Sequence, residues 1–292
     1  MDGSSPGDTS QRVVLVTGAS AGLGAAIVRE IARRGRASSF VLVARRKDRL
    51  DELADEVRQT ERAPEVLTIA VDLADPDGCR RVADEALARF GGIDVLMNNA
   101  GLGLPTLFAD APVQDLDRQI AVNFRAPIIL TRFLAGSLRE RRGMVVNIGS
   151  AITCVANSAL GVYGATKAGL AYWNDAIRRE LSNEGLTVCL VEPGPIRTEF
   201  TEAFQKLATD GARAHPVVET PSEWMTADVQ EVARRVVDLL DRPKRRLSVL
   251  RRMVWPFRAV GALVWAFPAL GDWFVTRVFQ VDQASGRGRK AE

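Results

Sequence analysis

A single histidine, His215, stands in 292 residues. That scarcity argues against a zinc centre built on paired histidines and against a Ser-His-Asp triad. In its setting the residue reads as an exposed loop histidine rather than a second acid/base. Cysteine is almost as rare. Cys79, Cys154 and Cys189 follow no paired spacing, which excludes a disulfide framework and points to a reducing compartment. Met1 to Ser10 is polar and contains no apolar signal-type core. That stretch is expected to be disordered and the chain not to be secreted. The uncharged core of the C-terminal tail, Ala259 to Gly271, is thirteen residues long, short of the roughly twenty that a spanning helix needs. Lysine is scarce as well, 5 against 34 arginines, which reads as GC-rich coding.

What is present is an ordinary globular composition, 47% hydrophobic and 26% charged, of a size for one large domain and an appendage. Charge divides unevenly. Residues 1–240 carry 28 basic and 32 acidic side chains, whereas residues 241–292 carry 11 and 4. The tail therefore has a different task from the body.

Short apolar runs alternate with helical patterns along the body. Strands are read at 13–16, 40–44, 66–71, 93–97, 144–148, 187–191 and 247–250. Helices are read between them, including one long helix over 113–138 and one from the Tyr163 region to about Asn183. This alternation implies an α/β fold, a doubly wound parallel (Rossmann-type) sheet of six or seven strands. The catalytic domain is placed at 11–250. Residues 196–225 lack periodicity and read as a mobile lid, with a short helix near Thr201 to Leu207.

The first strand ends in Thr17-Gly18-Ala19-Ser20-Ala21-Gly22-Leu23-Gly24 and a helix follows. Glycines at a strand-to-helix turn let the backbone approach a pyrophosphate, which the helix N-terminus then meets with free N–H groups. The second strand ends in Arg45-Arg46. An acid there would take a ribose 2′-hydroxyl, whereas arginine suits a 2′-phosphate, so NADP(H) is favoured over NAD(H). Tyr163 and Lys167 lie one helical turn apart. An adjacent ammonium is expected to lower the phenol pKa and make a usable acid/base. Ser150 stands thirteen residues before Tyr163, just past the end of the fifth strand.

Together with Asp72, Asn98-Asn99-Ala100-Gly101, Asn123 and Pro193-Gly194, these motifs resemble the short-chain dehydrogenases/reductases over about residues 12–250. The resemblance implies an oxidoreductase that interconverts a carbonyl and an alcohol. Tyr163 is then the proton donor or acceptor, Lys167 lowers its pKa and holds the nicotinamide ribose, and Ser150 orients the carbonyl. Asn123 holds a relay water. By the same resemblance Gly18, Ser20, Gly22, Leu23 and Gly24 line the pyrophosphate and ribose. Asp72 and Leu73 meet the adenine, and Asn99, Ala100 and Gly101 the adjacent ribose. Pro193, Gly194, Ile196 and Thr198 fix the nicotinamide. A homodimer or homotetramer paired through the helices bearing Asn123 and Tyr163 is implied, with no metal and no nucleic-acid partner. Two positions depart from common variants. Ala21 stands where many NADP-using members have a basic residue, and Gly149 where many have serine. Asn99 is expected to be partly structural, Trp173 to pack between helices, and Cys154 and Leu160 to face the substrate. No charged residue lies between Ser150 and Tyr163, which points to an apolar substrate. The rival readings are a non-catalytic dinucleotide sensor and a membrane-associated scaffold on the same fold.

The tail, 251–281, adds seven of the chain's eighteen aromatics behind a basic flank. Basic residues, tryptophans and short apolar helices suit peripheral contact with a membrane surface through 242–281. A packed cover or oligomer contact is the alternative. Either fits a hydrophobic, lipid-like substrate. Residues 282–292 read as a disordered end, and the protein as cytoplasmic, in part at the membrane.

Overall fold

The computed structural model describes residues 12–154, 156, 158–202 and 226–249, with isolated tail positions 259, 261, 262, 266, 267 and 269. The expected disordered ends, most of the lid with His215, and most of the tail lie outside the described residues.

Seven parallel strands form one sheet in the order β3-β2-β1-β4-β5-β6-β7. They are β1 (Val13–Thr17), β2 (Ser39–Ala44), β3 (Glu65–Ala70), β4 (Val95–Asn98), β5 (Met144–Ile148), β6 (Thr187–Glu192) and β7 (Arg246–Ser248). The helices are α1 (Gly22–Arg33), α2 (Lys47–Arg58), α3 (Pro76–Phe90), α4 (Val113–Ile120), α5 (Ala126–Glu140), α6 (Gly161–Leu181) and α7 (Val229–Val237). Central strands are mostly apolar because both faces of the sheet are covered, the exceptions being residues such as Asn98 and Asn147. The strand period of two sorts their side chains. Val14 and Val16 pack with the α1, α2 and α7 layer. Val13 and Leu15 pack with the α3, α5 and α6 layer. β3 is only partly buried, as an edge strand is.

Boundaries follow local chemistry. Asp75 caps α3 by accepting from the Asp77 N–H, Pro76 opens it, and Gly91 closes it at φ 68°. Gly35 and Gly185 stop the chain after α1 and α6 with positive φ.

One expectation is corrected. The long helix over 113–138 is two helices joined by a π turn, Ala121–Arg125. Pro127 lies in the first turn of α5. Without an N–H it cannot donate to the carbonyl four residues back, and the Ala126 N–H bonds instead to the Ala121 carbonyl. Asn123 sits inside this widened turn.

Polar groups buried between the sheet and its helices are joined in a chain. Asn98 Nδ2 donates to Asn147 Oδ1 at 2.9 Å and to Thr131 Oγ1 at 3.3 Å. Asn147 Nδ2 donates to Asn174 Oδ1 at 2.9 Å. These bonds tie β4, β5 and α6 together behind the site. Asn147→Ala removes both inner bonds and strands buried amide groups at either side. It is expected to lower the unfolding free energy by about 2–4 kcal/mol in urea titration; a loss under about 1 kcal/mol would show that the chain of asparagines carries no such weight.

Candidate active site

The glycine-rich turn is built by close approach. Gly18 and Gly22 have φ of 68° and 56°, where a side chain is strained. A Cβ on Gly24 would lie 2.3 Å from the Gly18 carbonyl oxygen, so only glycine lets α1 enter here. α1 has no side-chain cap and no acid in its first turn, which leaves its leading N–H groups for an anion. That arrangement fits a dinucleotide pyrophosphate. Ser20 and Leu23 lie on the same turn, Leu23 buried.

The turn is fastened to the loop after β4. Thr17 Oγ1 donates to the Met97 carbonyl and accepts from the Asn99 and Ala100 N–H groups, both at 3.0 Å. Asn99 Nδ2 donates to the Thr17 and Gly18 carbonyls at 2.9 and 3.2 Å. Asn99 thus does the structural work expected of it. Asp72, just after β3, accepts from the Ala74 N–H and pairs with Arg118 at 2.6 Å. Burial pushes its carboxyl up, but these bonds hold it below the ordinary carboxylate value. Leu73 turns its side chain into the core, so any ligand meets its main chain. Arg45 and Arg46 are both exposed at the end of β2.

At the ends of β5 and β6 the remaining residues converge. Lys167 is buried and donates to the Ile148 carbonyl at 2.8 Å. Asn123 is locked to Leu102 by two bonds of 2.8 Å and donates to Thr166 Oγ1 at 3.2 Å. A Cβ on Gly101 would lie 3.3 Å from Asn123 Oδ1 and 3.5 Å from Lys167 Nζ. Gly101 therefore brings the β4 loop against this pair. Ser150 accepts from the Ile152 N–H at 3.2 Å, as a turn-capping serine does, and its hydroxyl also hydrogen-bonds the Tyr163 phenol. The Ala151 N–H donates to the Pro193 carbonyl at 2.9 Å. Next to Gly194, Ile196 forms a bridge with Ala227, and Thr198 lies against Gly22.

The electrostatics differ from the sequence expectation. Burial raises the Tyr163 pKa above its ordinary value, and the Ser150 hydrogen bond opposes this. Lys167 donates to the Ile148 carbonyl, and burial lowers its own pKa to about 8.

Three residues escaped the sequence reading. Thr166 links Asn123 to the Tyr163 carbonyl, to which it donates at 2.7 Å. Its place between Tyr163 and Lys167 was the available signal. Glu199 and Phe200 lie in the segment read as an aperiodic lid. Glu199 pairs with Arg46 at 3.0 Å, and the Phe200 ring sits 6.3 Å from that of Tyr163. Trp173 packs against the core as expected. Cys154 and Leu160 are both partly exposed near the site. A Cβ on Gly261 would meet the Cys154 carbonyl oxygen at 2.1 Å, so the tail touches the turn that follows Ser150.

A parallel sheet with a glycine cradle at its strand-order reversal, and a Ser-Tyr-Lys corner beside it, defines the class of dinucleotide-binding α/β proteins. The family described as short chain dehydrogenase matches residues 12–208, and the chain belongs to it. The 11-beta-hydroxysteroid dehydrogenase 1A of Arabidopsis thaliana is 36% identical over 194 residues, 65% of this chain and 54% of that protein. The chain thus spans about half the length of this curated relative. A short-chain dehydrogenase from Sphingobium yanoikuyae, solved in complex with NADPH, is 29% identical with a TM-score of 0.71 over 96% of this chain and all of its own. The bulky-bulky ketone specific alcohol dehydrogenase of Comamonas testosteroni is 28% identical with a TM-score of 0.68, over 88% of this chain and 94% of its own.

The Lys167 shift sets a stability test. Its folded pKa, about 8, lies below the ordinary 10.5. The unfolded chain therefore binds more protons between those values, and stability from this group rises with pH across that window. The cost of burying the cation is fully present below pH 8. Unfolding free energies of the wild type and Lys167→Met, from urea titration, are expected to shift relative to each other in favour of the wild type from pH 7.5 to 10, by up to about 2–3 kcal/mol. A constant difference across the range would contradict the buried-cation account.

Proposed function

We propose that this protein is an NADP(H)-preferring oxidoreductase interconverting a carbonyl and an alcohol on a hydrophobic substrate, with Tyr163 as the acid/base. The observation that carries the reading is the gathering of Ser150, Tyr163, Lys167 and Asn123 at the strand ends, with Thr166 joining Asn123 to the Tyr163 main chain. A phenol carries its proton at neutral pH and can donate it to a developing alkoxide. A bound reduced nicotinamide dinucleotide supplies the hydride to the carbonyl carbon. Ser150 orients the carbonyl and shares the charge that grows on its oxygen. Lys167 holds the ribose, and Asn123 positions a relay toward solvent. Gly18, Ser20, Gly22, Leu23 and Gly24 hold the pyrophosphate side, Asp72 and Leu73 the adenine, and Asn99 to Gly101 the ribose. Pro193, Gly194, Ile196 and Thr198 hold the nicotinamide.

NADP(H) is favoured by Arg45 and Arg46 and by the NADPH in the Sphingobium relative. A hydrophobic substrate is supported by the uncharged stretch between Ser150 and Tyr163, by Phe200 over the phenol, and by the names of the steroid and bulky-ketone relatives. Pairing of copies through the α4 and α6 faces is supported by the exposure of Val113, Ile120 and Tyr172.

The tail remains a contact element in this reading. No helix among the described residues is long and apolar enough to cross a membrane. Arg245 and Arg246 are paired with Asp175, and Arg246 also with Glu192. Of the basic flank at 242–246, Arg242 and Lys244 are exposed and are the side chains left for a lipid surface. Phe267 is 60% exposed, which supports an apolar contact there.

Two experiments test the proposal. A panel of hydrophobic carbonyls, followed at the reduced-nicotinamide absorbance with both cofactors, is expected to show turnover that prefers NADPH. Tyr163→Phe should lower kcat by about 10²–10⁴-fold while dinucleotide affinity is kept. Turnover in no case would favour the sensor reading. Deleting residues 251–292 is expected to lower kcat/KM for hydrophobic ketones by at least about ten-fold and to reduce partition onto anionic vesicles. Unchanged values for both would remove the tail from the function.

A further inference from the structure

Three consecutive residues leaving β6 touch three separate parts of the site. Thr198 lies against Gly22, whose added Cβ would meet its side chain at 3.4 Å. Glu199 Oε2 accepts from Arg46 at 3.0 Å. Phe200 stacks at a tilt of 39° on Tyr163. Arg46 also points a nitrogen at Ser20 Oγ, 3.5 Å away, on the glycine-rich turn. The guanidinium is thus aimed along the turn, with a carboxylate already on it.

We propose that Glu199 is a specificity-determining residue for the dinucleotide. Its carboxylate occupies the arginine that a 2′-phosphate needs. A dinucleotide carrying that phosphate must displace Glu199, and one with a free 2′-hydroxyl need not. The inference rests on the NADP(H) reading and deepens it. Carboxylate and phosphate are both oxyanions drawn to the guanidinium, and Glu199 holds its Nη2, the donor that also faces Ser20 on the glycine-rich turn, so the two compete for that edge. The flanking contacts of Thr198 and Phe200 hold the backbone in place, so Glu199 loses little further freedom on reaching Arg46. The pair is about half exposed, with side chains 47% and 53% accessible. Such a pair is weak, worth about two- to five-fold in an equilibrium constant. Glu199 therefore grades selection between the two cofactors rather than blocking one. Repulsion between its charge and a phosphate on the same arginine acts in the same direction.

The test uses the full chain and calorimetric titration with 2′,5′-ADP and with 5′-AMP. Glu199→Gln is expected to bind 2′,5′-ADP about three- to ten-fold more tightly than the wild type, with 5′-AMP affinity unchanged. Arg46→Gln should remove the difference between the two nucleotides. If Glu199→Gln leaves 2′,5′-ADP affinity unchanged, weakens it, or tightens both nucleotides equally, Glu199 does not compete for the 2′ site. If the wild type and Arg46→Gln both fail to distinguish the nucleotides, Arg46 as the wild-type phosphate ligand falls. The Glu199 proposal then stands only if Glu199→Gln creates a preference, and is overturned if it does not. A thermal melt of each variant confirms that affinities are read on folded protein.

Discussion

The seam between β1 and β4 is the constraint on which the rest of the site depends. The sheet order reverses there, so the loops leaving the two strands face each other across an opening. Thr17 closes the base of that opening with one hydroxyl serving a carbonyl and two N–H groups. Asn99 closes it from the other side by holding the carbonyls of Thr17 and Gly18. Each bond is worth about 1 kcal/mol net, yet the groups involved are largely withdrawn from water, so leaving one unmade costs more than making it gains. Glycine at 18 and 24 is the steric counterpart, since a Cβ at either would strike Asn99 or the turn itself. Cradle and loop are therefore positioned as one unit.

Behind this seam, burial shifts the titration of the Tyr163–Lys167 corner. The same loss of solvent pushes Tyr163 toward its neutral phenol and Lys167 toward its neutral amine. Lys167 also donates to the Ile148 carbonyl, which fixes its ammonium beside the phenol-bearing helix turn. The asparagines behind β4 and β5, and the π turn that carries Asn123, keep that corner polar without opening it to bulk water.

At the far edge, a second polar set fixes where the body stops. Glu192 at the end of β6 accepts from Arg246 at 2.8 Å and from Ser248 at 2.9 Å. Asp175 on α6 takes Arg245 and Arg246. The basic run that reads as the start of the tail is thus partly a clasp for the edge strand β7. Beyond it, Gly261 rests on the turn after Ser150.

Periodicity and turn residues were enough to give the strand and helix order, because a strand covered on both faces is mostly apolar and positive φ favours glycine. Gly18, Gly22, Gly24, Ser150, Tyr163 and Lys167 were legible for the same reason: their spacing carries their chemistry. The break at Ala121–Arg125 was less visible, although Pro127 foreshadowed it, because only the observed ladder shows which carbonyl takes the displaced bond. The sign of the Tyr163 shift could not be read from the chain, since it depends on how much solvent the packed neighbours exclude and on where Lys167 sends its protons. The meeting of Glu199 with Arg46 spans 153 residues. β2 and β6 are separated in the sheet by β1, β4 and β5, so the contact is made by the segment after β6 crossing the strand ends to the turn that carries Gly22, and no local pattern encodes it.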